Sequence, residues 1–198
     1  MRKILITIVS VFFYCLNSNS QIISIEDIGL IPIDGAYYKD NELLLNRFVG
    51  TWEYTNGNNS LTIIFQKITR QRANYSEDLL IGEYKYIENG VEIINTLNNI
   101  SNSENNIHGN SVIYHNSKPT CNDCVVGEKR LVVSFGDPLK QTWGPLYLRK
   151  INVGGQEAIS AQFILNGTRY IGGSDLEFTQ VYVGETFPNG TYVLIKQP

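Results

Sequence analysis

The chain has 198 residues, net charge −3 and a pI near 5.4, which allows one domain with a real core. No run of Lys or Arg forms a basic stripe, so neither nucleic acid nor an anionic membrane surface is expected as a partner. Alanine occurs only at 36, 73, 158 and 161 while Ile and Asn abound, a mix that disfavours long helices and favours strands joined by turns.

The N-terminus carries Arg2 and Lys3, an apolar run from Ile4 to Leu16, and then "NSNSQ". Cleavage after Ser20 places Ser18 and Ser20 at the small-residue positions of a signal peptide spanning 1–20. The apolar run is short for a membrane span, which needs about 20 residues. The residue before Cys15 is Tyr14 rather than the small residue of a bacterial lipobox, which argues against lipidation. The mature protein then starts at Gln21 and is secreted, to the periplasm or the exterior.

Residues 21–46 lack a clean period and are expected to pack along a barrel or cap one end of it. "KDNELLLNRF" suggests one short helical turn with Asp40 or Asn41 as N-cap. From 47 to 198 the pattern is β. Phe48, Gly50, Trp52 and Tyr54 share one strand face, and Leu61, Ile63 and Phe65 alternate in the next strand. "TRQRANYSED" reads as a polar gap. In "LLIGEYKYIENGVEIINTL", Asn89-Gly90 is a type I′ hairpin turn. A two-residue loop pairs Glu88 with Val91, Tyr86 with Ile93 and Tyr84 with Asn95. Tyr84, Tyr86 and Ile93 then face the core, and Glu83, Lys85 and Glu92 face water.

"NNISNSENNIHGN" reads as a long loop, followed by a strand at Ser111 to His115. "KRLVVSF" is a strand that contributes Leu131, Val133 and Phe135 to the core, and "GDPLKQTWGP" is a loop. "LYLRKINV" and "QEAISAQFIL" form a second hairpin around Gly154-Gly155, and "FTQVYV" and "TYVLIK" end the chain. Regular turn spacing with alternation predicts an all-β fold, a single antiparallel up-and-down barrel of about ten strands.

"FVGTW", at the start of the first barrel strand, resembles the Gly-x-Trp signature of lipocalins and related calycin barrels. The resemblance implies that Gly50 permits a tight approach at the closed end and that Trp52 plugs it. It also implies a basic residue from a late strand lying across the indole, with Arg149, Arg169 and Lys196 as candidates. The chain is similar as well to a group of small uncharacterised secreted proteins of Gram-negative bacteria, a domain of unknown function. These share "FVGTWEY", "GEYKYIENGVEI" and a last strand ending "LIKQ". That similarity implies no known activity.

Export into an oxidising compartment pairs Cys121 with Cys124 in "TCNDC". Closing so short a loop stabilises by about 2 kcal/mol at most. Two other readings of this motif are a redox pair and, with His108 and His115, a metal site. No helical pattern follows Cys124, and His-x6-His with Cys-x2-Cys is not a standard zinc spacing. No metal and no cofactor are expected.

Gly-x-Ser-x-Gly, His-Glu-x-x-His and a phosphate-cradling glycine loop are all missing, so no enzymatic activity is expected. Two functions fit. One is non-catalytic binding of a small apolar or amphipathic ligand inside the barrel, with Trp52, Tyr84 and Tyr86 as the contacts. The other is an envelope or surface module that works through protein contacts around a filled barrel.

Overall fold

The computed structural model describes residues 21–29, 31–101, 105–172, 178–186 and 188–198. The signal peptide expected over 1–20 lies outside the described residues. The described residues open with two short strands, β1 (Ile22–Ser24) and β2 (Tyr37–Lys39). Next come β3 (Gly50–Asn56), β4 (Asn59–Gln71), β5 (Ser76–Glu88), β6 (Val91–Asn95) and β7 (Ile107–Tyr114). They are followed by β8 (Lys129–Asp137), β9 (Thr142–Val153), β10 (Gln156–Phe163), β11 (Thr168–Gly172), β12 (Phe178–Tyr182) and β13 (Gly190–Lys196).

Eight of these strands close a barrel, in the circular order β3, β4, β5, β7, β8, β9, β10, β13. Every neighbouring pair in it is antiparallel, so the barrel is an up-and-down meander. The other five lie outside that circuit. β6 pairs with the end of β5, β1 and β2 run parallel beside the start of β5, and β11 and β12 form a separate hairpin.

Period-2 alternation supplies the interior. Trp52, Leu61, Ile63, Phe65, Leu131, Val133, Phe135, Leu146, Leu148, Ile159, Ala161, Phe163 and Leu194 are all buried in one cluster. Phe48, Tyr84 and Tyr86 join it, as expected, while Tyr54 is only partly buried against it. Gly82 sits at an inward position of β5. A Cβ there would lie 2.7 Å from the Phe65 ring and 2.9 Å from the Ile64 carbonyl oxygen, so the ring fills the space a side chain would need.

Three expectations are corrected. In the β5–β6 hairpin, Asn89 and Gly90 both have positive φ and Glu88 pairs with Val91. The register then shifts between Tyr86 and Ile87, so Tyr86 meets Ile94 and Lys85 meets Asn95. One extra residue reverses which face points inward. Ile93 is therefore 36% exposed, and Ile94 takes the core position. Glu83, expected in water, is fully buried, because residues 105 and 106 cover the outer side of β5 there.

The third correction concerns polar segments read as gaps. β4 and β5 run through most of "TRQRANYSED", leaving a turn of residues 72–75. "GDPLKQTWGP" holds only a turn of residues 138–141, because Asp137 Oδ1 accepts from the amides of Leu139 (3.1 Å) and Lys140 (3.2 Å).

The segment before β3 is tied to the wall by a buried polar network. Asp40 accepts from the amides of Leu44 (2.8 Å) and Leu45 (3.0 Å), anchoring a 3-10 turn at Leu45–Arg47. Its other partner is Lys67 Nζ at 3.1 Å, which also lies 3.3 Å from Asp78. Asp78 in turn accepts from Tyr37 Oη and Thr69 Oγ1, each at 2.7 Å, and from the Asp40 amide at 3.1 Å. Both carboxylates are nearly inaccessible, and only this full set of partners makes their burial tolerable. On the far side, Glu26 binds Lys129 Nζ (2.7 Å) and Tyr114 Oη (2.7 Å), reaching β8 and β7.

Burial alone would raise the pKa of Asp78, but the hydrogen bonds from Tyr37, Thr69 and the Asp40 amide, with Lys67 nearby, hold it below the ordinary aspartate value. A carboxylate whose pKa is lower when folded stabilises fully above its unfolded pKa and loses that contribution as pH falls through the folded value. Asp78→Asn is therefore expected to be less stable at neutral pH yet to lose less stability on acidification below about pH 4, read from urea midpoints across pH. Asp40→Ala orphans two amides and is expected to cost about 1–3 kcal/mol with an unchanged m-value.

Candidate functional site

Trp52 lies at one end of the barrel, fully buried, with Nε1 donating to the Phe48 carbonyl at 2.6 Å. Lys150 Nζ sits 4.4 Å from its ring centroid and Lys196 Nζ 5.7 Å, both in cation–π range. Glu157 binds both ammonium groups, at 3.1 and 2.7 Å. Gly50 has φ +127°, and a Cβ there would press to 3.4 Å from Lys196 Cε.

Of the three basic candidates, Lys196 is therefore correct. Arg149 points outward to Asp123 and Glu128, and Arg169 donates to Gln141 Oε1 at 3.2 Å. The missed residue, Lys150, was legible by counting. It follows the inward Leu146 and Leu148 at the same two-residue step, as Lys196 follows Leu194.

Tyr84 and Tyr86 are buried in the same core cluster as Trp52. Tyr84 Oη donates to the Gly136 carbonyl at 3.4 Å, and Tyr86 Oη to Glu88 at 3.3 Å. Burial pushes the Tyr84 hydroxyl far above the usual tyrosine pKa. A chain of aromatic contacts then crosses the interior from β5 to β3. Tyr84 meets Phe135 at 4.7 Å, Phe135 meets Phe163 at 5.0 Å, Phe163 meets Tyr192 at 5.6 Å, and Tyr192 meets Tyr54 at 5.0 Å. Three of these contacts are edge-to-face, the arrangement of efficient aromatic packing. Tyr192 donates to the Pro188 carbonyl at 2.7 Å, and burial, then Tyr86 and Tyr54, push its pKa up to about 12.

The described clefts open instead on the outer surface, and Trp52, Tyr84 and Tyr86 line none of them. One, of about 470 Å³, lies where Trp143, His108, Asn99 and Asn106 meet near the β5–β7 junction. Trp143 is half exposed, with its ring edge-on to His108 at 5.8 Å.

A second cleft, of about 410 Å³, lies between the segment 115–128 and the outer wall of β8, β9, β10 and β13. That segment carries the Cys121–Cys124 disulfide. Arg149 clamps it to the wall. Its guanidinium donates to Glu128 at 2.5 and 3.1 Å and to the side chain and carbonyl of Asp123 at 2.6 and 3.0 Å. Hydrogen bonding to Arg149 holds Glu128 below the ordinary glutamate pKa. The wall side is lined by Arg130, Tyr147, Ser160, Gln162 and Thr191. Sequence reading missed this site, because it assembles outward residues of four strands under a loop.

The histidines do not converge on the cysteines. His108 Nδ1 is 3.2 Å from the Asn105 carbonyl, and His115 Nδ1 accepts from the Gly127 amide at 3.1 Å. Among the described residues no group of His, Cys, Asp and Glu is arranged to hold a metal ion, and no helix is long and apolar enough to cross a membrane.

No curated protein and no solved structure matches the chain. A family model matches residues 1–197, and the chain accordingly belongs to the Family of unknown function (DUF6705).

Proposed function

We propose that this protein is a secreted, non-catalytic binding module whose barrel is a solid scaffold and whose partner meets it on the outer surface. The aromatic chain from Tyr84 through Phe135, Phe163 and Tyr192 to Tyr54 carries this reading. A carrier of an apolar molecule needs an open lumen of several hundred Å³. Here the space between facing strands is taken by large side chains in mutual contact, as in small barrels filled by their own residues. Trp52, Tyr84 and Tyr86 then act as packing, and the envelope or surface-module reading is preferred to the lumen-ligand one.

Export is supported by the leader-like pattern of residues 1–20 and by the Cys121–Cys124 disulfide, which persists in oxidising compartments. The lipocalin resemblance contributes the barrel's start and its sealed end. It contributes no ligand.

Native mass spectrometry of protein purified from its own host is expected to give the mass of the mature chain with no small molecule in the lumen. A stoichiometric apolar ligand would sink the scaffold reading. Phe135→Ala is expected to cost about 3–5 kcal/mol, since nothing but packing occupies that volume. A cost below about 1 kcal/mol would mean that the lumen is not tightly filled. Thiol titration of the exported chain is expected to find no free thiol, cleavage having removed Cys15; two free thiols would count against export into an oxidising compartment.

A further inference from the structure

We infer that the cleft beneath the disulfide segment binds a hydroxylated carboxylate of sugar-acid size, with Arg130 supplying the charge. This deepens the outer-surface reading and rests on it.

Arg130 is 4% exposed. Its Nη2 donates to the carbonyls of Tyr114 (3.2 Å) and Ser117 (2.7 Å), and its Nε is buried with no acceptor. Among the described residues no carboxylate forms an ion pair with it. A buried guanidinium held only by two carbonyls is costly, and evolution usually places a carboxylate on such a group. The neighbouring strand displays the satisfied counterpart. Leu131 pairs with Leu148, so Arg130 and Arg149 stand one step further along adjacent strands, yet Asp123 and Glu128 both bind Arg149.

The rest of the cleft fits the neutral part of such a ligand. Tyr147, Ser160, Gln162 and Thr191 offer hydroxyls and an amide on one wall, suited to the hydroxyls of a sugar acid. A volume near 410 Å³ lies in the range of small-molecule sites. Asp123 also lines the cleft. Its carboxylate is paired with Arg149 at 2.6 Å and its side chain is 82% exposed, so neutralisation and solvent screening weaken its repulsion of an incoming carboxylate.

The probe is sodium D-glucuronate, followed by amide chemical shifts of the mature, disulfide-intact protein, with glucose and inorganic phosphate as comparisons. Saturable shifts at Ser160, Gln162 and Thr191 are expected with glucuronate, at least about tenfold weaker with glucose, which lacks the charge. Arg130→Gln is expected to weaken binding about tenfold or more. Because that variant also removes anchors of the segment, Ser160→Phe serves as a second test. It fills the wall side, touches none of the loop's hydrogen bonds, and is expected to abolish the shifts in a folded protein. Absence of saturable shifts in the native protein, or binding unchanged in Ser160→Phe, overturns the inference. Phosphate binding as tightly as glucuronate overturns the assignment to a hydroxylated carboxylate. An empty lumen combined with no glucuronate binding would remove this site alone, whereas a lumen ligand would remove the scaffold reading.

Discussion

Two short seams close the barrel: β13 meets β3 through two residue pairs, and β5 meets β7 through three, Leu80 with Gly109, Ile81 with His108 and Gly82 with Ile107. One edge of β5 is consumed by β4 along almost its whole length. The other edge is shared in sequence by β2 at Ser76–Glu77, β7 at Leu80–Gly82 and β6 at Lys85–Glu88. So short a seam gains little from its ladder and needs help from side chains. Glu83 provides it. Its carboxylate accepts from the Asn106 amide at 3.1 Å, from Asn106 Nδ2 at 2.7 Å and, more weakly, from Asn105 Nδ2 at 3.4 Å. A fully buried carboxylate must be satisfied by such donors, so its burial fixes where β7 begins.

The same logic extends along the seam in both directions. A bulge at Gly109 and Asn110 lets Asn110 reach back across it, donating to Glu77 at 3.1 Å and to the Asp78 carbonyl at 2.8 Å. Asp78 is the centre of the network that seats the N-terminal segment, and that segment crosses to β7 and β8 through Glu26. Buried polar groups thus form a continuous line beside the seam, while the lumen is aromatic and aliphatic. This division of labour is what frees the outer wall of β8–β10 to carry a cleft, since closure is achieved elsewhere.

Much of this was legible in residue order. The β5–β6 and β9–β10 turns followed from Asn89-Gly90 and Gly154-Gly155, and ten of the twelve expected core residues are buried. Ile93 failed because a single bulge in β6 is invisible to alternation. Glu83 failed because alternation reports which face a residue takes, while a neighbouring segment decides whether that face is wet. Lys150 was missed although its step from Leu148 placed it inward, because its outward neighbour Arg149 stood as the basic candidate of that strand.

By itself, the sequence determined the all-β class, the meander of hairpins, the position of the first barrel strand and the pairing partners of most turns. These depend on local chemistry: side-chain period, turn propensity and chain direction. Only the tertiary structure decided that Trp52 is sealed by two lysines sharing Glu157, that aromatics from five strands meet across the lumen, and that Arg130 lies buried with no carboxylate of the described residues paired to it. Each of these joins residues far apart in the chain. Their distances are set by barrel closure, which no local pattern encodes.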